Sequence, residues 1–421
     1  MSRRIASFFA LAGCIALAGA SAVGSGHVQR RSPSTSWYHA DDHPAHSLFK
    51  RNFTDGTTYA PIGSQEWANA YPQDTINVTA IPKAWIDALN SAVSAGKIPN
   101  LPPSTVNSQG FTTYSGGLDP NGQEVCSATY QCYVADDLWN APQGDVGLSF
   151  DDGPLPTSTA LYEFLANNSL RSTHFFIGSN ILYNPQQFSM AFDQLGDDIA
   201  VHTWTHPYMT TLSNEELVGE FGWTMEIIHN STGGRLPKYW RPPYGDADNR
   251  VRAIAKEVFG LTTVIWNQDT GDWSLTSGGT TAQAIHNDME KWLTGPKNPG
   301  LIILEHELSN QSVQAFMDAY PIMKSNGWNT ISVAELSGGP VYQNSDNSTD
   351  PVTPGTVANL AVQPPPNSTS STPASTSTQS TSSSAPSGSN HNTSGTVSIS
   401  SSGRVNYLIA SMAAIGLAFL C

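Results

Sequence analysis

Several acidic, basic and imidazole side chains recur between residues 151 and 306 of this 421-residue chain. Asp151 and Asp152 are adjacent, and His202 and His206 form an H-x-x-x-H pair. Two imidazoles at this spacing, joined by one carboxylate such as Asp152, can make a three-ligand metal site with open positions, as a catalytic zinc centre requires. Adjacent carboxylates repel unless a cation or a proton relieves them, so Asp152 as ligand and Asp151 as base would explain both. Either pattern alone is more often structural.

The elements that must position these residues lie between residues 144 and 340, where short apolar runs alternate with helical patterns. This alternation predicts a parallel sheet. Seven such units predict a compact (β/α) barrel, closed or incomplete, and an open doubly wound sheet is the alternative because periodicity cannot show closure. The predicted strands are 146–150, 173–178, 198–202, 238–241, 261–266, 300–306 and 328–332. The predicted helices are 157–168, 185–195, 213–230, 248–259, 280–293 and 311–325.

The reactive side chains follow the carboxyl ends of the predicted strands. In a parallel β/α fold these ends share one face, and active sites are built there. Convergence of residues from separate strands is a stronger signal than any single motif. The residues expected on this face are Asp151, Asp152, His202, His206, Arg241, Asp269, Asp272 and His306. His174, inside an apolar strand, is predicted to be a core residue.

Five ordered motifs identify a family. They are S-F-D-D-G-P at 149–154, H-T-W-T-H at 202–206, R-P-P-Y at 241–244, D-T-G-D-W at 269–273 and L-E-H at 304–306. Residues 144–340 resemble the NodB-like domain of the carbohydrate esterase family 4 polysaccharide deacetylases, and within it the fungal chitin deacetylases. Ser149 stands where the family usually has Thr, a change that affects no catalytic role.

The resemblance implies a distorted (β/α) barrel and a role for each motif residue. It implies that Asp152, His202 and His206 hold one divalent metal, with Zn²⁺ expected and Co²⁺ as a substitute. Asp151 would be the general base, held by Arg241.

Further roles follow from the later motifs. The backbone N–H of Tyr244 would stabilise the oxyanion, and Trp273 would form a hydrophobic wall. His306 would be the general acid, paired with Asp272. Asp272 is predicted to hydrogen-bond His306 and keep it cationic, and Asp269 is expected to be structural.

The implied reaction is metal-dependent hydrolysis of the N-acetyl groups of chitin, which gives chitosan and acetate in cell-wall remodelling. Two alternatives remain. One is the same chemistry on another acetylated polymer, such as peptidoglycan or acetylxylan. The other is a catalytically idle wall mannoprotein or carbohydrate-binding protein, which would be expected to have lost a motif residue.

The two ends of the chain read as processing signals. Residues 1–22 combine Arg3 and Arg4, an apolar run and an Ala20-Ser21-Ala22 cleavage signature, which predicts a secretory signal peptide. Residues 403–421 form an apolar tail after a polar spacer, which predicts a GPI-attachment signal. Residues 341–402 read as a Ser/Thr/Pro-rich glycosylated stalk.

Residues 23–143 show no clear period, and we interpret them as an irregular N-terminal extension that packs partly on the head through Trp67, Trp85 and Trp139. The dibasic pairs at 30–31 and 50–51 could each mark the end of a short propeptide.

Composition agrees with secretion. Of the 4 cysteines, Cys14 and Cys421 lie in the processed ends, so Cys126 and Cys132 are expected to form a disulfide. The N-x-S/T sequons predict glycosylation at Asn52, Asn77, Asn167, Asn230, Asn310, Asn347, Asn367 and Asn392.

The net charge of -15 argues against nucleic acid and anionic membrane surfaces as partners. The terminal signals and the sequons give the expected location, which is the outer face of the plasma membrane through the GPI lipid, the cell wall with a covalent link to glucan, or both.

Overall fold

The computed structural model describes residues 53–359. In this part of the chain eight strands form one parallel sheet, and two short strands form a separate antiparallel hairpin. The hairpin strands are β1 (Thr105–Val106) and β2 (Thr112–Thr113). The strands of the sheet are β3 (Asp145–Asp151), β4 (Thr173–Phe176), β5 (Asp198–Val201), β6 (Tyr239–Trp240), β7 (Thr262–Thr263), β8 (Gln268–Asp269), β9 (Leu301–Leu304) and β10 (Asn329–Ser332).

Two helices precede the strands, and the others lie in most of the connections between the strands of the sheet. The α-helices of the described residues are α1 (Gln65–Ala68), α2 (Lys83–Ser94), α3 (Ser158–Asn168), α4 (Gly178–Tyr183), α5 (Pro185–Ser189), α6 (Asn214–Ser231), α7 (Asn249–Phe259), α8 (Ala282–Leu293) and α9 (Asn310–Ser325). Helix α5 continues as a π-helix over Met190–Leu195, where one α-helix was predicted. Helix α6 begins with a capping box in which Ser213 and Glu216 satisfy each other's backbone N–H groups.

The sheet is a curled half-barrel, which confirms the predicted distorted (β/α) barrel. Its strand order is β7-β6-β5-β4-β3-β9-β8, and β10 also pairs with β3. Strands β3 to β7 are sheet neighbours in chain order, and β8 and β9 follow from the opposite edge back to β3, without the reversal that defines a doubly wound sheet. The order excludes the doubly wound alternative. Strand β8 was not predicted, because its two residues, Gln268 and Asp269, form too short a run to show a period.

A segment before β3 joins two distant parts of this sheet. Leu138 pairs with Val264 beside β7, and Ala141 pairs with Gly300 just before β9. The Leu138 amide donates to Thr263 at 2.9 Å, and the Gly300 amide donates to Ala141 at 3.0 Å. Residues 138–141 were assigned to the N-terminal extension, yet they pair with residues next to two strands of the sheet.

The described part of the N-terminal extension packs on the barrel through aromatic side chains. Trp67, Trp85 and Trp139 are all buried. Trp85, on α2, contacts Trp223 edge-on, with ring centroids 5.1 Å apart. A Cβ at Gly222 would lie 2.4 Å from the Trp85 ring, so the absence of a side chain there lets α2 approach α6 closely. These contacts bury the apolar face of α2 against the helical layer.

The packed domain extends beyond the boundary predicted at residue 340. Tyr342 is fully buried, and its hydroxyl accepts a hydrogen bond from the Ile199 amide at 3.0 Å. The Ser348 hydroxyl donates to the carbonyl of Asp197 at 2.9 Å. Val357 and neighbouring Ala358 are buried as well. The assignment of 341–358 to the stalk was therefore wrong, because a few apolar side chains in a Ser/Asn-rich segment provide its anchors.

The predicted disulfide between Cys126 and Cys132 is present. Within residues 53–359 no helix combines the length and the apolarity needed to cross a bilayer.

Among the sequon asparagines, three are exposed and two are half-buried. The exposed ones are Asn77, Asn167 and Asn310, and the half-buried ones are Asn230 and Asn347. The signal peptide, both dibasic pairs, Asn52, Asn367, Asn392, residues 360–402 of the stalk and the GPI signal lie outside the described residues.

Candidate active site

Asp152, His202 and His206 meet at the carboxyl ends of the strands, as the sequence predicted. The Nε2 atoms of both imidazoles lie 3.2 Å from Oδ1 of Asp152. Neither contact has hydrogen-bond geometry, so this buried oxygen has no hydrogen-bond donor among residues 53–359. Three ligands of a tetrahedral Zn²⁺ ion are about 3.4 Å apart, given ligand distances of roughly 2.1 Å. The donor set and its spacing fit a divalent metal.

The local backbone and one hydrogen bond orient these ligands. Asp152 and His206 both have positive φ, 72° and 59°, a backbone conformation that residues other than glycine rarely adopt. The His202 Nδ1–H donates to the Arg241 carbonyl at 2.7 Å, which leaves the Nε2 lone pair for a metal. Burial disfavours the Asp152 carboxylate, but the His206 and His202 imidazoles outweigh it and hold the pKa of Asp152 well below its usual range.

Asp151, at the end of β3, forms a buried ion pair with Arg241. Arg241 Nη1 donates to Asp151 Oδ1 at 2.6 Å, and Nη2 donates to the Ser149 hydroxyl at 3.0 Å. Burial lowers the pKa of the Arg241 guanidinium, whereas the Asp151 carboxylate opposes this change. Asp151 Oδ2 faces the metal-site residues, 3.9 Å from His202 Nε2. One carboxylate oxygen is thus held by Arg241, and the other is directed to the site.

His306 and Asp272 form a second pair on the same face, and the predicted hydrogen bond between them is present. Asp272 Oδ1 lies 2.7 Å from His306 Nδ1, and Oδ2 accepts from the His306 amide at 2.8 Å. Burial disfavours the imidazolium, but the Asp272 carboxylate outweighs it and raises the pKa of His306 to about 10. His306 Nε2 lies 4.0 Å from Asp152 Oδ2, so it faces the metal-site residues. Asp269 lies beside this pair and accepts from the Gly271 amide at 2.8 Å.

Two aromatic side chains of the motifs remain open to solvent. Tyr244 is 53% exposed and Trp273 is 38% exposed. The Tyr244 ring stacks on Tyr208 with a centroid distance of 4.1 Å, and it contacts His206 edge-on at 4.6 Å. Tyr244 also has a positive φ of 57°. These apolar ring faces beside buried charges are suited to a ligand that carries both apolar and polar groups.

Sequence reasoning missed Glu220, which holds the loop between the two metal-site histidines. Its Oε2 accepts hydrogen bonds from the amides of Trp204 at 2.7 Å and Thr205 at 2.8 Å, and its Oε1 accepts from the Thr205 hydroxyl at 2.6 Å. Glu220 lies on α6 and is buried among apolar positions of that helix. A lone acidic residue on the apolar face of a predicted helix was the signal that could have found it.

Comparison with known proteins agrees with this arrangement. A family model described as polysaccharide deacetylase matches residues 140–264. Chitin deacetylase 3 of Cryptococcus neoformans is 43% identical over 343 residues, which cover 80% of this chain and 81% of that protein. Chitin deacetylase of Amylomyces rouxii is 33% identical over 294 residues, which cover 67% of this chain and 68% of that protein.

Among solved structures, the chitin deacetylase of Colletotrichum lindemuthianum aligns over 48% of this chain and 90% of its own, with 25% identity and a TM-score of 0.43. The extent and identity of the Cryptococcus match establish the family. This chain therefore belongs to the polysaccharide deacetylases and is an enzyme of that type.

Proposed function

We propose that this protein is a metal-dependent chitin deacetylase that removes the acetyl groups of β-1,4-linked N-acetylglucosamine. The observation that carries the proposal is the convergence of three groups on one face: the Asp152–His202–His206 triad, the Asp151–Arg241 pair and the His306–Asp272 pair. The names of the Cryptococcus and Amylomyces relatives support chitin as the substrate.

Hydrolysis of an acetamide needs a stronger nucleophile, stabilisation of the carbonyl oxygen and protonation of the leaving nitrogen. A divalent ion held by Asp152, His202 and His206 would polarise the acetamide oxygen and would lower the pKa of a bound water to about 7. Asp151 accepts the proton of the attacking water, and its ion pair with Arg241 keeps its carboxylate in place. The backbone N–H of Tyr244 stabilises the oxyanion that forms as the water adds to the carbonyl carbon.

His306 completes the reaction. With Asp272 on Nδ1, its Nε2 carries the proton that it donates to the departing nitrogen as the C–N bond breaks. Acetate and a glucosamine unit are the products. Trp273 and the Tyr244 ring provide apolar surfaces at the rim of the site, where a sugar ring can lie. Zn²⁺ is the expected metal because two imidazoles and one carboxylate with open positions suit it, and Co²⁺ can substitute.

The experiment that tests this function measures acetate release from a chitin pentamer by purified protein, with and without a chelator. Acetylxylan and peptidoglycan fragments are assayed in parallel, and Asp151→Asn is the control for contaminating activity. Chelator-sensitive release from the chitin pentamer is the expected result. Release only from acetylxylan or peptidoglycan would favour the same chemistry on another polymer. Absence of release from every substrate, with metal bound, would favour a catalytically idle wall protein.

We further propose that the protein is secreted, glycosylated and attached to the outer face of the plasma membrane by GPI, with transfer to wall glucan as an alternative end point. The terminal signals at 1–22 and 403–421 and the sequons support this location. A phosphatidylinositol-specific phospholipase should release the protein from membranes, and deletion of 403–421 should send it to the medium. Detection of Cys421 in the mature protein would contradict the GPI proposal.

A further inference from the structure

Glu307, the residue after His306, is a fully buried carboxylate that the proposed reaction does not use. Its Oε1 lies 2.8 Å from Nδ1 of His174, and its Oε2 accepts a hydrogen bond from the Tyr162 hydroxyl at 2.8 Å. Both carboxylate oxygens are therefore engaged, one by an imidazole and one by a phenol. The side chain is fixed in one orientation beneath the strand ends.

Two neighbouring carboxylates stabilise the charged form of the His174 imidazole. Asp197 Oδ2 lies 3.0 Å from Nε2 on the other side of the ring, so each ring nitrogen faces a carboxylate oxygen. The Ser172 hydroxyl lies 3.0 Å from the same Nε2 atom. With a proton on each nitrogen the ring is an imidazolium that donates to both carboxylates. Burial disfavours that charge, but Glu307 and Asp197 outweigh it and raise the pKa of His174 to about 10. The charge of the Glu307 carboxylate is thus balanced inside the core by the His174 imidazole.

Glu307 also contacts the turn that carries Asp151 and Asp152. Its amide donates to the Asp151 carbonyl at 3.1 Å. Gly153, the next residue of the turn, lies so close that a Cβ there would be 2.3 Å from Cδ of Glu307. The Thr157 hydroxyl, after the turn, donates to the Glu307 carbonyl at 2.9 Å. The backbone and the carboxylate of Glu307 therefore both define where the turn lies.

We propose that Glu307 is a positioning residue for this active site: held by His174 and Tyr162, it sets the 151–153 turn in the position that lets Asp152 bind the metal and Asp151 face the substrate. The inference rests on the proposed function for its catalytic part only. Its metal-binding part can be tested whether or not chitin is the substrate.

The main test is Glu307→Gln, which keeps the size of the side chain and removes its charge. Metal affinity is measured by titrating the metal-free protein with Co²⁺ and following its visible absorption, and kcat and KM are measured on a chitin pentamer with saturating metal. Loss of a group that hydrogen-bonds a metal ligand directly typically lowers metal affinity or activity about 10- to 100-fold, and Glu307 acts one step further away, through the 151–153 turn. We expect the Co²⁺ dissociation constant to rise by about tenfold, and kcat to fall by about tenfold or more, while KM stays within about twofold.

A double-mutant cycle tests whether His174 acts through Glu307. His174→Gln should reduce Co²⁺ affinity and kcat in the same direction as Glu307→Gln. The double variant should resemble Glu307→Gln alone, because the two residues form one unit. Additive losses would mean that His174 acts by a separate route and would overturn the proposed pairing.

Asp198→Asn is the matched control. Asp198 is equally buried, but it lies at the start of β5, at the opposite end of the strands, and accepts from Arg171 and Ser332. The Asp198→Asn variant should have lower thermal stability than the wild type and the same Co²⁺ affinity. If Glu307→Gln likewise loses stability but keeps the wild-type Co²⁺ affinity and kcat, Glu307 serves the fold only and the proposal is wrong.

Tyr162→Phe covers the case in which Glu307→Gln does not fold. It frees one oxygen of Glu307 and leaves the ion pair with His174 in place. A smaller rise in the Co²⁺ dissociation constant is expected, and an unchanged constant overturns the proposal. A wild-type enzyme that binds Co²⁺ but releases no acetate from chitin would contradict the proposed function while leaving the metal-affinity result intact.

Discussion

Two buried histidines in this protein are held by carboxylates, yet only one of them is open to a substrate. Asp272 holds Nδ1 of His306. The Nε2 atom of His306 faces the metal-site residues, 4.0 Å from Asp152. Glu307 and Asp197 hold both ring nitrogens of His174. The pKa of each imidazole is raised to about 10 by its carboxylates in spite of burial. The free nitrogen, rather than the charge, distinguishes a proton donor from a structural cation.

The causes of these two pKa values differ in one further respect. Asp152 is among the carboxylates that raise the pKa of His306, after Asp272. A metal bound to Asp152 would offset that contribution, so metal loading should lower the pKa of His306. Glu307 and Asp197, which raise the pKa of His174, are not metal ligands. We therefore expect the pKa of His306 to respond to metal binding and the pKa of His174 to stay unchanged.

Metal removal should have the largest effect on turnover. It should act on the site of His306 and leave the buried cluster around His174 unchanged. Chelation should abolish turnover, because the acetamide oxygen and the water then lose their activation, and Zn²⁺ or Co²⁺ should restore it. His206→Ala should weaken metal binding itself. Acetate release and bound metal are measured on the same samples, and full activity of metal-free protein would contradict the mechanism.

Removal of the proton donor should have the next largest effect. His306→Gln should lower kcat by about 10²- to 10⁴-fold, since the leaving nitrogen then lacks its acid. Metal content should stay unchanged, and the backbone hydrogen bond from residue 306 to Asp272 does not involve the imidazole. His286→Gln, an exposed histidine on α8, is the matched control. Equal kcat values for the two variants would remove His306 from the mechanism.

Asp272→Asn should shift the pH dependence of the reaction and lower kcat less than His306→Gln does. The carboxylate raises the pKa of His306 to about 10 from an ordinary value of 6.5, so its loss lowers that pKa. His306 then loses its proton at lower pH, and the alkaline limb of the kcat profile should move to lower pH. An unmoved alkaline limb together with loss of metal would make Asp272 a metal-site residue instead.

His174→Gln should affect stability most and turnover least of these changes. Because the folded pKa of about 10 exceeds the ordinary value of 6.5, the stabilisation is fully present below pH 6.5 and is lost as pH rises through about 10. Removal of one partner from a buried ion pair costs about 3–5 kcal/mol of unfolding free energy. Urea unfolding should show that deficit at pH 6 and a smaller one at pH 10. A deficit independent of pH would mean that His174 is neutral in the fold.

Local sequence patterns were sufficient to predict the reactive residues of the candidate site and the parallel α/β class of the fold. Asp151, Asp152, His202, His206 and His306 follow apolar runs that become strands, and parallel strands bring their carboxyl ends to one face. The disulfide between two cysteines six residues apart could be predicted in the same way. In each case the information lies within a few neighbouring residues, or in a rule that holds for every parallel sheet.

Contacts between distant buried polar groups were decided only by the tertiary structure. Glu307 and His174 are 133 residues apart, and Glu220 reaches the amide of Trp204 from a separate helix. Tyr342 anchors a segment whose composition resembles a stalk. No period along the chain encodes such pairs, because a buried polar group takes whichever partner the packed core brings within hydrogen-bond distance. The sequence alone determined the reactive groups of this enzyme, and the packed core determined what holds them in place.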